Sequence, residues 1–130
     1  MILDSSVIVA VFLEEPATQR VLELIADADS VSVSAATLLE AGIVLSHRKG
    51  KPMQHALELF CKKLAIESVP FTDEHRAAAL RAWWHFGRTR GAAALNFGDC
   101  IAYATARLAD EPLLCIGNDF PQTCLTVLQP

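Results

Sequence analysis

Four acids stand where their neighbours leave room for chemistry: Asp4, Glu40, Asp99 and Asp119. Asp4 closes the apolar run Met1-Ile2-Leu3 and precedes Ser5-Ser6. Glu40 interrupts Ala35 to Leu45, where Thr37 is the other polar residue. Asp99 falls in Leu95-Asn96-Phe97-Gly98-Asp99-Cys100, and Asp119 in Gly117-Asn118-Asp119-Phe120-Pro121. Carboxylates gathered within a few ångströms repel, and some take up protons unless a cation intervenes. Oxygen donors without His or Cys favour Mg²⁺, with Mn²⁺ as a substitute, over zinc. Such an ion keeps water ligands and leaves room for phosphate oxygens, which suits phosphodiester hydrolysis.

Each acid also has an ordinary reading. Asp4 is placed to cap a first helix, Asp99 to complement a helix dipole, and Asp119 to form a turn. Glu40 is harder to dismiss, because a carboxylate in an apolar helix needs a partner, and no arginine nearby in sequence supplies one. Around the acids, Ser5 and Ser6 are placed to hydrogen-bond an acid or a metal-bound water, although serines are common at helix starts. Asn96 is placed to cap a helix, to orient Asp99, or both. Arg88 and Arg90 read either as solvated loop arginines or as holders of a phosphate backbone. Trp83 and Trp84 read as core and interface, not as stacking platforms.

The elements needed to position these residues alternate along the chain. Met1–Leu3 reads as a buried strand, Ser6–Leu13 as a helix and Ala17–Ala28 as another. Val31–Val33 is a second strand, and Ser34 is placed to cap an all-round apolar, hence buried, helix. Gly50 is placed to stop that helix, and Pro52 to start the next, Met53–Ile66. Val69 and Phe71 mark a third strand. A helix from Thr72 to Gly87 follows, then a loop, a helix from Asn96 to about Leu108, a fourth strand Pro112–Ile116 and a short edge strand within Leu125–Leu128. This α/β alternation predicts a parallel sheet covered on both faces.

In such folds the strands' carboxyl ends and the helices' N-termini share one edge, where ligands bind. Asp4, Asp99 and Asp119 fall on that edge by topology. Glu40 lies six residues past Ser34, about 9 Å down its helix at 1.5 Å per residue, so it reaches the edge only if the helix tilts or its side chain extends upward.

The chain has 130 residues, 52% apolar and 20% charged, and a formal net charge of −4. That length fits one domain, residues 1–130. The composition excludes disorder, and the net charge argues against loose, charge-driven binding of nucleic acid. No run approaches the roughly 20 apolar residues of a membrane span, and the N-terminus lacks a secretory pattern. Cys61, Cys100, Cys115 and Cys124 show no C-x-x-C spacing and read as reduced core residues of a cytoplasmic protein.

Ile2-Leu3-Asp4-Ser5-Ser6, Ser34 to Ala41, Leu95 to Cys100 and Gly117 to Phe120 together resemble the PIN-domain family, more narrowly the VapC-type ribonuclease toxins of bacterial toxin–antitoxin pairs. The resemblance spans nearly the whole chain. It implies a three-layer α/β/α sandwich with a short, mainly parallel sheet, and Mg²⁺- or Mn²⁺-dependent cleavage of RNA. The family's acidic quartet falls on Asp4, Glu40, Asp99 and Asp119, the last being its most variable member. The hydroxyl of the first motif falls on Ser6. The resemblance further implies a homodimer and a cognate antitoxin bound over the groove beside the acids.

Three rivals fit less well. A phosphatase of the haloacid-dehalogenase type needs an acid two residues after Asp4, where Ser6 stands. A receiver domain needs a late lysine, and none follows Lys63. A catalytically silent binding module has no use for all four acids.

Overall fold

The computed structural model describes residues 1–87 and 93–130. Its strands are β1 (Ile2–Leu3), β2 (Val31–Ser34), β3 (Ile66–Val69), β4 (Leu113–Leu114) and β5 (Val127–Leu128). Its helices are α1 (Ser5–Phe12), α2 (Thr18–Asp27), α3 (Ala35–Lys49), α4 (Gln54–Lys63), α5 (Asp73–Phe86) and α6 (Phe97–Ala109). The strands form one sheet in the order β3-β2-β1-β4-β5, and every pair is parallel. The expected α/β architecture is therefore present.

Short strands suffice because side chains alternate across the sheet. Leu3 and Leu114 pack into a core with Val7, Ile8, Val33, Ala41 and Leu45 on one face. Ile2 and Leu113 pack with Leu95, Ala102, Tyr103 and Ala106 on the other. β1 is the central strand, and the strand order reverses beside it, between β1 and β4. That is the topological switch point at which open α/β sheets form a crevice.

Local chemistry sets most boundaries. The Ser34 hydroxyl accepts the Ala36 N–H at 3.2 Å and starts α3, and Gly50 ends it at φ 66°, a conformation that favours glycine. Three expectations are corrected. The helix read as Met53–Ile66 stops at Lys63, because Ala65 turns into the left-handed region (φ 52°). The third strand is consequently Ile66–Val69, ahead of the expected Val69–Phe71, and Pro70 cannot donate to its ladder. Nor is α3 buried all round: Thr37, Ala41 and Leu45 face inward, while Leu39 (65% exposed) and Ile43 (62%) face out. Cys100 and Cys115 are buried as expected, Cys61 is half-buried and Cys124 exposed, and all four are free thiols. No helix among the described residues is long and apolar enough to cross a membrane.

Candidate active site

Asp4 follows β1 and is fully buried at the carboxyl edge of the central strand. Its N–H bonds the Leu114 carbonyl at 3.0 Å, which locks it to β4. It does cap α1: Oδ2 accepts the Ser6 N–H at 3.0 Å and the Ser6 hydroxyl at 2.5 Å. Capping uses only that one oxygen. Oδ1 is buried with no hydrogen-bond partner among the described residues. An unpaired buried anionic oxygen is costly, and helix capping gives no reason for it.

Ser6 does two jobs. While donating to Asp4, its Oγ accepts the Ile116 N–H at 3.0 Å, tying the start of α1 to the end of β4 across the switch point. Ser6→Ala is expected to destabilise the fold by about 1–3 kcal/mol, because it strands the Ile116 N–H. Urea unfolding measures this, and an unchanged midpoint would show that the bridge contributes nothing.

Asp99 and Asn96 form a capping box at the start of α6. The Asn96 side-chain oxygen accepts the Asp99 N–H at 3.0 Å, and Asp99 Oδ2 accepts the Asn96 N–H at 2.7 Å. Asn96 thus both caps the helix and orients the carboxylate, so the two readings of it are one arrangement. Asp119 lies in the exposed turn after β4, just before the short 3₁₀ turn Phe120–Gln122.

Glu40 does reach the edge. Its carboxylate lies directly against the Gly98 backbone, in the first turn of α6 and one residue before Asp99. Oε2 is buried and unpartnered among the described residues. No Arg or Lys among those residues forms an ion pair with Asp4 or Glu40, so the ordinary explanation for a buried acid is missing.

Electrostatics show the convergence. Burial raises the pKa of the Asp4 carboxyl; hydrogen bonds from Ser6 and Ser5 oppose the shift, and the charge of Asp119 adds to it. Burial likewise raises Glu40, against a hydrogen bond from Ser5, and the charges of Asp4 and Asp99 push it further. The buried Cys115 thiol at the end of β4 is pushed up to about 12 by burial and then by Asp4, Asp99 and Asp119. One interior thiol thus feels three of the four acids, and the fourth feels two of the same three.

Among the described residues no three acid, His or Cys side chains are drawn into a ready coordination shell. The fit to a cation rests instead on donor chemistry: two buried carboxylate oxygens lacking any donor, beside two further carboxylates. A hard divalent ion such as Mg²⁺ or Mn²⁺ satisfies such oxygens. Arg88 and Arg90, expected to hold phosphate, lie outside the described residues. Ser5 bonds an acid as its position allowed, and the structure shows which: its backbone serves Asp4, while its side chain goes to Glu40 on another helix.

The PIN domain family matches residues 1–124. The chain is 44% identical over 126 residues to the VapC ribonuclease Mb2004c of Mycobacterium bovis and, equally, to the ribonuclease VapC36 of Mycobacterium tuberculosis; each match covers 96% of this chain and 91% of the relative. It is 39% identical over 124 residues to the ribonuclease VapC28 of Mycobacterium tuberculosis, covering 95% and 93%. Among solved structures it is similar to Mycobacterium tuberculosis VapC20, a toxin that cleaves the sarcin–ricin loop, with a TM-score of 0.79, 18% identity and coverage of 99% and 98%. It is also similar to a chain of a Klebsiella pneumoniae toxin–antitoxin complex, with a TM-score of 0.70, 16% identity and coverage of 98% and 94%.

Proposed function

The chain belongs to the PIN-domain family, and on that premise we propose that residues 1–130 form a single metal-dependent endoribonuclease domain, the toxin of a toxin–antitoxin pair. The observation that carries the metal-dependent chemistry is the pair of unpartnered buried oxygens on Asp4 and Glu40, set at the switch point beside Asp99. Asp4, Glu40 and Asp99 hold the divalent cation, Mg²⁺ with Mn²⁺ as substitute, and Asp119 assists from the exposed rim. When bound, the ion activates water and stabilises charge growing on the scissile phosphate.

The chain's own residues prepare for this. Ser6 fixes the Asp4 rotamer through two hydrogen bonds to one oxygen and leaves the other to the cation. Asn96 fixes Asp99 through the capping box, and Ser5 steadies Glu40. Arg88 and Arg90 hold the RNA backbone. The relatives' ribonuclease names support RNA as substrate.

Two partners complete the reading. The apolar Leu39 and Ile43 flank Glu40 on the open side of α3, which supports a cognate antitoxin docking beside the acids; one structural neighbour is a toxin–antitoxin complex. A homodimer uses a different face, where α5 exposes Leu80, Trp83 and Trp84. The protein acts in the cytoplasm.

Purified protein is expected to cut RNA at discrete positions with Mg²⁺ or Mn²⁺ and to stop when EDTA is added. End-mapping of the fragments measures it. Cleavage that persists unchanged in EDTA would remove the metal from the mechanism.

A further inference from the structure

Resting on the divalent-cation reading above, we propose that Gly98 is a positioning residue: the lack of a side chain at this position is what admits the Glu40 carboxylate to the acid cluster. Gly98 is buried in the first turn of α6. A Cβ built there would stand 2.5 Å from the Glu40 Cδ and from Oε2, and closer still to Oε1. Real Cβ atoms essentially never approach other heavy atoms within 3.0 Å, so the entire carboxylate would have to leave.

The other described glycines show why this one is distinct. Gly87 is also crowded, but there a Cβ would meet the Trp83 backbone and ring at the end of its own helix, not a carboxylate from another element. Gly50 and Gly117 have positive φ and open space where a Cβ would stand, so backbone conformation explains them. Gly42 would meet only the tip of Leu57, at 3.3 Å. Gly98 is not among the residues with positive φ. In a helix, alanine is ordinarily the better residue, so conformation gives no reason for glycine here. Space does. α3 and α6 approach each other closely at this point, and Glu40 fills what a methyl group would occupy. Among the described residues the charges acting on the Glu40 carboxylate are those of Asp4 and Asp99, so a displaced carboxylate finds no countercharge among them.

The test is a four-protein cycle: the parent, Gly98→Ala, Glu40→Ala and the double variant. Thermal midpoints are read in EDTA, and Mn²⁺ affinity is read by calorimetry. Gly98→Ala is expected to lower the midpoint of the parent but to raise it, or leave it unchanged, in the Glu40→Ala background, where the methyl group has room and α6 gains a better helix former. Mn²⁺ affinity is expected to fall about tenfold or more in the parent, as when a ligand loses its support, and to fall no further in the Glu40→Ala background. Equal effects of Gly98→Ala in both backgrounds would overturn the proposal, as would parent-like Mn²⁺ affinity of the single variant. If the parent itself binds no Mn²⁺, the cation reading fails, and the midpoints alone then decide whether Gly98 makes room for Glu40.

Discussion

The Asp4→Asn variant is expected to lose RNA cleavage by on the order of 10³-fold, since a catalytic cation supplies several kcal/mol of transition-state stabilisation, while folding as well as the parent or better. The substitution is close to isosteric. The amide oxygen still accepts from Ser6, and asparagine caps helices about as well as aspartate, so α1 and its tie to β4 survive. What disappears is one negative charge and the anionic Oδ1 that no donor among the described residues satisfies. An acid kept in place for structure would be missed by the fold; an acid kept for its charge would be missed by the chemistry. A gel-based cleavage assay beside a thermal melt separates the two. Parent-like cleavage by Asp4→Asn in the same Mg²⁺ would sink the assignment.

The second large effect is on stability, and it depends on both pH and metal. Asp4 and Glu40 have folded-state pKa values raised chiefly by burial. The folded form therefore holds protons that the unfolded chain has already released, so stability falls as pH rises. This contribution is fully present below about pH 4, the ordinary carboxyl range, and is lost as pH rises through the folded-state values. In EDTA the protein is thus expected to melt lower near pH 8 than near pH 5.

A divalent ion prefers the ionised cluster and acts in the opposite sense. At 100 times its dissociation constant it stabilises by about 2.7 kcal/mol, on the order of 10 °C for a domain of this size. That gain should appear near pH 8 and shrink toward pH 5. Surface pairs such as Arg20–Glu23 and Arg76–Asp73 are too exposed to obscure it. Asp4→Asn serves as the internal control, since its midpoint should vary less with pH. Parallel traces for parent and variant would show that Asp4 is not the source.

Asp4 and Asp99 were legible because each depends only on local chemistry. An apolar triplet that must be a strand ends at one acid, and Asn96 three residues ahead of the other marks a helix start. Ser34 and Gly50 were legible for the same reason. Glu40 was legible as an acid in want of a partner, but its arrival at the edge was not, because that depends on how α3 and α6 meet. The room its carboxylate fills is where a Cβ at Gly98 would stand, and nothing in the spacing between residues 40 and 98 encodes that. The register of β3 was missed because Ala65, with no glycine to advertise the turn, adopts positive φ. The outward face of α3 was missed because Leu39 and Ile43 look like core residues to any count of apolar positions. They are exposed because a helix laid on one face of a sheet turns only one side to the core.

The sheet order carries a consequence for how the protein comes into being. β1 leaves the ribosome before the other four strands of the sheet, yet it lies at the centre, and Ile2 must wait for Leu113 to pair on its second side. A nascent chain already carries Asp4 and Glu40 long before Asp99, the Ile116 anchor for Ser6, or β4 exist. Translation therefore completes the candidate site last, and a fragment released before Asp99 and β4 lacks both an acid of the cluster and the strand that pairs beside Asp4.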